Sequence, residues 1–74
     1  MAQLPVLSGR EIVRALGKLG YYLSRQRGSH IRLAHKSRRP VTVPDYGPVS
    51  KGLLRKILRD AELSPNGFLN LLDL

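Results

Sequence analysis

Apolar residues recur at helical spacing near the start of the chain. They form the stripe Ile12, Leu16 and Leu19. Ser8 and Glu11 precede this stripe at the spacing of a capping box, in which each side chain accepts a hydrogen bond from the other's backbone amide. Gly20 follows it, where glycine commonly ends a helix. The pattern predicts a first helix over residues 9–19.

A period of two follows, which is typical of β-strands. Apolar and polar residues alternate over residues 21–25 and 30–35, and the polar, glycine-containing segment 26–29 connects them as a hairpin. A short third strand, residues 40–44, is bounded by prolines that suit strand ends. The chain therefore contains three predicted strands, and the first two form a hairpin.

Alternation along the second strand assigns its two faces. If Ile31 and Leu33 point into the core, His30 and Arg32 point outward. We expect Leu23 to pair with Ile31. That register sets Ser24 opposite His30 and Tyr22 opposite Arg32, while His35 falls on the other face or in a loop.

Helical spacing returns in the C-terminal third of the chain. A second helix is predicted over about residues 51–61, with Ser50 as its cap and an apolar face of Leu54, Ile57, Leu58 and Ala61. Ser64-Pro65 starts a short third helix anchored by Phe68, Leu69 and Leu72. The order α-β-β-β-α predicts an α+β fold, a three-stranded antiparallel sheet packed on helices with a short C-terminal helix. At 74 residues we expect one domain, residues 1–74.

Composition excludes several classes of protein. With no cysteine, the chain has no disulfide framework, thiolate zinc site or cysteine nucleophile. Two histidines and five acids argue against a metal site, and we expect no cofactor. No apolar run approaches the roughly 20 residues of a membrane span, and the N-terminus lacks the pattern of a signal peptide. We therefore expect a cytoplasmic protein.

Charge indicates the class of partner. Residues 1–59 hold thirteen bases and two acids, a net charge of +11, whereas residues 60–74 hold three acids and no base. A field of this sign favours a polyanion, with nucleic acid first and membrane headgroups second. The alternative is that surplus bases only keep the chain soluble. The six bases between residues 25 and 39, with no acid among them, argue against it. They are Arg25, Arg27, Arg32, Lys36, Arg38 and Arg39.

The turn-to-strand junction Gly28-Ser29-His30 is the first candidate for chemistry. RNA carries its own nucleophile, the 2′-OH, and an imidazole exchanges protons at cellular pH. Glycine lets a phosphate approach the backbone, Ser29 offers a donor, and Tyr46 in a turn can stack on a base. From residue types alone, however, a single exposed histidine is more often a surface residue or a phosphate contact than a catalyst.

The sequence resembles the HicA family of bacterial toxins over about residues 6–70. The resemblance rests on the segment Arg25-Gln26-Arg27-Gly28-Ser29-His30, on Val43-Pro44, and on Gly52 with Leu54-Arg55-Lys56-Ile57-Leu58. The chain departs from the family at Asp45-Tyr46, where many members carry a histidine. It departs again at Leu53, where threonine is common.

The resemblance implies a fold like that of a double-stranded-RNA-binding domain. It also implies that His30 is catalytic, flanked by Gly28 and Ser29, and that a HicB-type antitoxin covers this site. The resulting hypothesis is a ribosome-independent mRNA interferase, a metal-independent endoribonuclease whose arginines hold phosphate. Two rivals remain: a non-catalytic RNA-binding module, and an interaction protein whose charge serves only an acidic antitoxin.

Overall fold

The order of helices and strands follows the predicted one. A computed structural model describes residues 3–72. Its elements are α1 (Gly9–Leu19), β1 (Tyr22–Arg27), β2 (His30–Ala34), β3 (Val41–Pro44), α2 (Lys51–Asp60) and α3 (Pro65–Leu71). The strands form one antiparallel sheet in the order β1-β2-β3. The α+β prediction is confirmed.

Each helix begins at a serine cap, as predicted. The Ser8 hydroxyl accepts a hydrogen bond from the Glu11 amide, and the Glu11 carboxylate accepts one from the Ser8 amide at 2.9 Å. Gly20 ends α1 with a φ of 112°, a conformation that glycine adopts without strain. Ser50 and Ser64 cap α2 and α3. None of the helices formed by residues 3–72 has the length and apolarity to cross a bilayer.

The core lies between the helices and one face of β2 and β3. Strand β2 alternates as predicted: Ile31 and Leu33 are buried, and His30 and Arg32 are exposed. The largest fully buried side chains come from every layer, namely Phe68, Ile12, Leu16, Leu33, Leu54, Leu58, Val41 and Val43. None of the helices formed by residues 3–72 covers the side of the sheet that carries His30, where His30 and Arg32 are exposed.

The β1–β2 hairpin is tighter than predicted. Its loop has two residues, Gly28 and Ser29, instead of four, so Arg27 lies directly opposite His30. Gly28 has a φ of 58°, and glycine with positive φ at the first central position permits a two-residue loop. The polar residues 26 and 27 therefore extend the strand and do not form the turn.

This turn shifts the register, and the predicted pairs are wrong. Ser24 is not opposite His30, and neither Leu23–Ile31 nor Tyr22–Arg32 is a pair. The observed partners of β1 are Tyr22 with Ala34, Leu23 with Leu33, Arg25 with Arg32, Gln26 with Ile31, and Arg27 with His30. A bulge between Leu23 and Arg25 absorbs one residue. Moreover, β1 lies at the sheet edge, where Leu23 remains 58% exposed.

Tyr21 and His35 pack together away from the His30 face. Tyr21, predicted as the first residue of the strand, precedes β1 but is buried, as its predicted packing role requires. Its hydroxyl donates to the Arg39 carbonyl at 2.8 Å, and burial raises the pKa of this phenol. The His35 ring lies 4.8 Å from the Tyr21 ring, and its Nε2 is 3.0 Å from the Leu19 carbonyl. The prediction that His35 lies apart from His30 is confirmed.

Two glycines of α1 provide a matched test of how this helix docks. A Cβ on Gly9 would overlap the backbone carbonyl of Pro44, whereas a Cβ on Gly17 would meet nothing within 4 Å. We expect Gly9→Ala to lower the free energy of unfolding by about 1–3 kcal/mol through overpacking. Gly17→Ala should raise it by about 1 kcal/mol, since alanine is the better helix former. Urea denaturation measures both; equal effects would contradict the close approach of α1 to β3.

Candidate nucleic-acid interface

Two cross-strand pairs on the open side of the sheet bring the predicted site residues together. Arg27 lies opposite His30, and Arg25 lies opposite Arg32. Directly paired residues of an antiparallel sheet project from the same face, with Cβ atoms about 4.5–5.5 Å apart. Three guanidinium groups and one imidazole therefore share a small area, although the register differs from the predicted one.

These side chains line a shallow depression of about 540 Å³. Its walls are Ser24, Arg25, Arg27, His30, Arg32 and Thr42. Thr42 lies opposite Arg32 on β3, and its hydroxyl accepts a hydrogen bond from the Arg32 guanidinium at 2.9 Å. Ser24 belongs to the predicted outward group and reaches the depression through the bulge. The depression thus combines cationic donors with two hydroxyls around one imidazole.

In the described part of the chain, no carboxylate forms an ion pair with an arginine of the depression. Within residues 3–72 the ion pairs join Arg10 to Asp45 and Lys56 to Asp60, and neither involves an arginine of the depression. Like charges directly opposite one another destabilise a sheet. A bound anion would relieve the repulsion between Arg25 and Arg32, and a phosphate matches the forked geometry of guanidinium groups.

The turn that carries His30 is tied to the loop after β3. The Asp45 amide donates to the Ser29 carbonyl at 2.7 Å. The Gln26 side-chain amide donates both to the Gly28 carbonyl at 3.1 Å and to the Asp45 carboxylate at 2.9 Å. Asp45 thus binds the Ser29 carbonyl directly and is linked to the Gly28 carbonyl through the Gln26 side chain.

Helix α1 holds that acidic residue in turn. The Arg10 guanidinium donates to both carboxylate oxygens of Asp45, each at 2.9 Å. The hydrogen bonds from Arg10 and Gln26 lower the pKa of Asp45. We name Arg10, Gln26 and Asp45 the turn clamp. It joins α1 to the hairpin that carries His30.

The lowered pKa of Asp45 predicts a pH effect. When folding lowers the pKa of a carboxyl group, that group stabilises the folded state at pH values above its pKa in the unfolded chain. The stabilisation is lost as the pH falls through its pKa in the folded protein. From about pH 4 downward, the wild-type chain should therefore lose thermal stability more steeply than Asp45→Asn. Melting temperatures of both proteins between pH 2 and pH 7 measure this. Parallel curves would contradict a stabilising clamp.

Comparison with known proteins agrees with the fold. Residues 9–63 match a family described as the HicA toxin of bacterial toxin–antitoxin systems. The chain belongs to the HicA toxin family. A solved toxin–antitoxin complex from Streptococcus pneumoniae contains a chain that is 32% identical to this one, with a TM-score of 0.69. That match covers 80% of this chain and 100% of the other. None of the curated proteins searched matches the sequence.

Other predicted RNA contacts of this HicA protein lie away from the depression. Lys36, Arg38 and Arg39 follow β2 at the end remote from His30, beyond a strand whose first and last residues are about 13 Å apart at 3.3 Å per residue. The Arg38 guanidinium donates to the carbonyls of Ala61 and Glu62, at 2.9 and 3.0 Å, and so caps the end of α2. A contact between this loop and RNA stays a prediction.

Tyr46 lies nearer to the site. It follows Asp45, 55% of its surface is exposed, and its carbonyl accepts a hydrogen bond from the Gly9 amide at 2.8 Å. Since Pro44 pairs with His30 across β2 and β3, Tyr46 stands at the His30 end of the sheet. An exposed ring in this place can stack on a base next to the depression.

The depression and the turn clamp include residues that sequence reasoning missed. On β3, the alternation of polar Thr42 with Val41 and Val43 could have indicated that Thr42 projects from the open face. The motif that contains Gln26 and the family departure at Asp45 give no sign that these two side chains meet. Their hydrogen bonds join residues 19 positions apart, and no local pattern indicates such a contact.

Proposed function

We propose that this HicA protein is an RNA endonuclease in which His30 transfers the proton and Arg25, Arg27 and Arg32 hold the phosphate. The observation that carries the proposal is the open face on which an imidazole stands among three guanidinium groups. None of these groups has a carboxylate partner among residues 3–72. Messenger RNA in the cytoplasm is the proposed substrate.

The chemistry that suits this face is attack by the 2′-OH of RNA on the neighbouring phosphate. As a general base, His30 would take the 2′-OH proton while the 2′ oxygen bonds to phosphorus and the 5′ oxygen leaves. As a general acid it would protonate that leaving oxygen. Arginine donors stabilise the charge that builds on the phosphoryl oxygens. Because the nucleophile belongs to the substrate and the positive charge to the arginines, the proposed reaction uses no metal ion.

The products of the reaction test this proposal. Purified protein is incubated, in the presence of a chelator, with a labelled RNA and with the same sequence carrying 2′-O-methyl groups. We expect fragments ending in a 2′,3′-cyclic phosphate from the first and none from the second. Salt-sensitive binding without cleavage of either would favour the non-catalytic RNA-binding module.

The partner proposed for the chain is a HicB-type antitoxin that covers His30. Membership in a toxin–antitoxin family and the complex containing the Streptococcus pneumoniae chain support an antitoxin partner. A protein docked on the open face would block the phosphate path and the imidazole together. RNA and antitoxin should therefore compete for the folded toxin. Simultaneous binding of both would contradict occlusion.

A further inference from the structure

Strand β1 is a free sheet edge that is uncovered on both faces. Among residues 3–72 it pairs only with β2, and all six of its residues are exposed. The helices pack over β3 and one another, so the β1 side of the hairpin extends beyond them. A free edge offers a row of backbone donors and acceptors to another strand, and proteins usually protect such edges.

The first residues of this edge are apolar. Tyr22 is 59% exposed and Leu23 is 58% exposed. They project from opposite faces of the strand, because successive side chains alternate. A strand added to this edge could bring apolar side chains against the Tyr22 ring on one face and against the Leu23 side chain on the other.

The rest of the edge is cationic, which selects among possible occupants. Arg25 and Arg27 follow the apolar pair, and β1 contains no acid. Two copies of the chain joined at this edge would bring four guanidinium groups onto one short ribbon, which is unfavourable. Nucleic acid has no peptide backbone to continue a ladder. An extended acidic protein segment could neutralise the arginines and also form hydrogen bonds with the free backbone groups of β1.

We propose that the free edge of β1 receives an acidic, extended segment of the antitoxin as a fourth strand of the sheet. Backbone hydrogen bonds would supply affinity, apolar side chains would cover Tyr22 and Leu23, and carboxylates would face Arg25 and Arg27. Arg27 lies opposite His30, so the added strand would run along the rim of the depression. The docking rests on membership in a toxin–antitoxin family; only its inhibitory effect rests on the proposed RNA cleavage.

Replacing Leu23 separates this interface from the RNA face. Leu23 lies opposite Leu33 and projects from the face of the sheet that does not carry His30. Unlike Leu33, Leu23 is exposed there. Leu23→Gln should weaken binding of the antitoxin about tenfold through lost apolar burial. The antitoxin probe is the product of the gene adjacent to the toxin gene. Val6→Gln is the matched control, since Val6 is an exposed apolar residue outside the sheet, 66% accessible. It should bind like wild type.

Residue-resolved amide exchange of the complex tests the strand itself. We expect new protection at the outward-facing amides of residues 22–27, while the protection of α1 and α2 stays unchanged. Wild-type binding by Leu23→Gln, with unchanged exchange of these amides, would overturn the proposal. Concentration-dependent protection of β1 in the toxin alone would also overturn it, in favour of a second copy. None of these readouts requires RNA cleavage, so an inactive toxin would refute the proposed function and leave this test intact.

Discussion

His30→Ala should slow RNA cleavage by about 10²–10⁴-fold, the usual contribution of a general acid or base. The domain should stay folded, because the His30 side chain is exposed and contributes nothing to the core. Single-turnover cleavage of a labelled RNA by saturating protein measures the chemical step apart from binding. Circular dichroism of both proteins verifies the fold.

His35→Ala is the control for this substitution. Nδ1 of His35 accepts a hydrogen bond from the Ser37 amide at 3.0 Å, which leaves Nε2 to donate to the Leu19 carbonyl. Its loss should lower thermal stability without slowing cleavage by the folded fraction. Undiminished cleavage by His30→Ala, or equal loss in both variants, would remove His30 from the mechanism.

Removing two arginines of the depression should flatten the salt dependence of RNA binding. On single strands, log K falls with log salt by about 0.7 per phosphate contact, so Arg25→Gln/Arg27→Gln should reduce the slope by about 1.4. Affinity at low salt should fall with it. Fluorescence anisotropy of a labelled RNA across a salt series gives both quantities.

Arg14→Gln/Arg55→Gln removes the same charge from exposed positions of α1 and α2. If the depression holds the phosphates, this control should keep nearly the wild-type slope. A slope that depends only on total charge would indicate diffuse attraction and would contradict a defined site.

The helices and the order of strands were predictable because their signals are local. Ser8, Glu11 and Gly20 mark both ends of α1 within one stretch of chain, and alternation in β2 assigned His30 to the open face. The hairpin register was not predictable from alternation. Gly28 permits a two-residue loop, and this shorter loop gives the residues of β1 different partners on β2 from the predicted ones.

The candidate site was predicted as a set of residues but not as an arrangement. Arg25, Arg27 and Arg32 surround His30, whereas Arg38 is used to cap α2. Asp45 at first indicated only a departure from the family. Its hydrogen bonds to Gln26 and Arg10 become evident only when the hairpin turn, β3 and α1 meet in three dimensions.

A crystal structure of the wild-type toxin bound to 2′-O-methyl RNA tests the central claim most directly, since that RNA lacks the attacking hydroxyl and stays intact. The account predicts a phosphate in the depression, within about 3 Å of the guanidinium nitrogens of Arg25, Arg27 or Arg32. His30 should face the adjacent 2′ or 5′ oxygen. RNA bound along the helices or the loop of residues 36–39, with the depression empty, would contradict it.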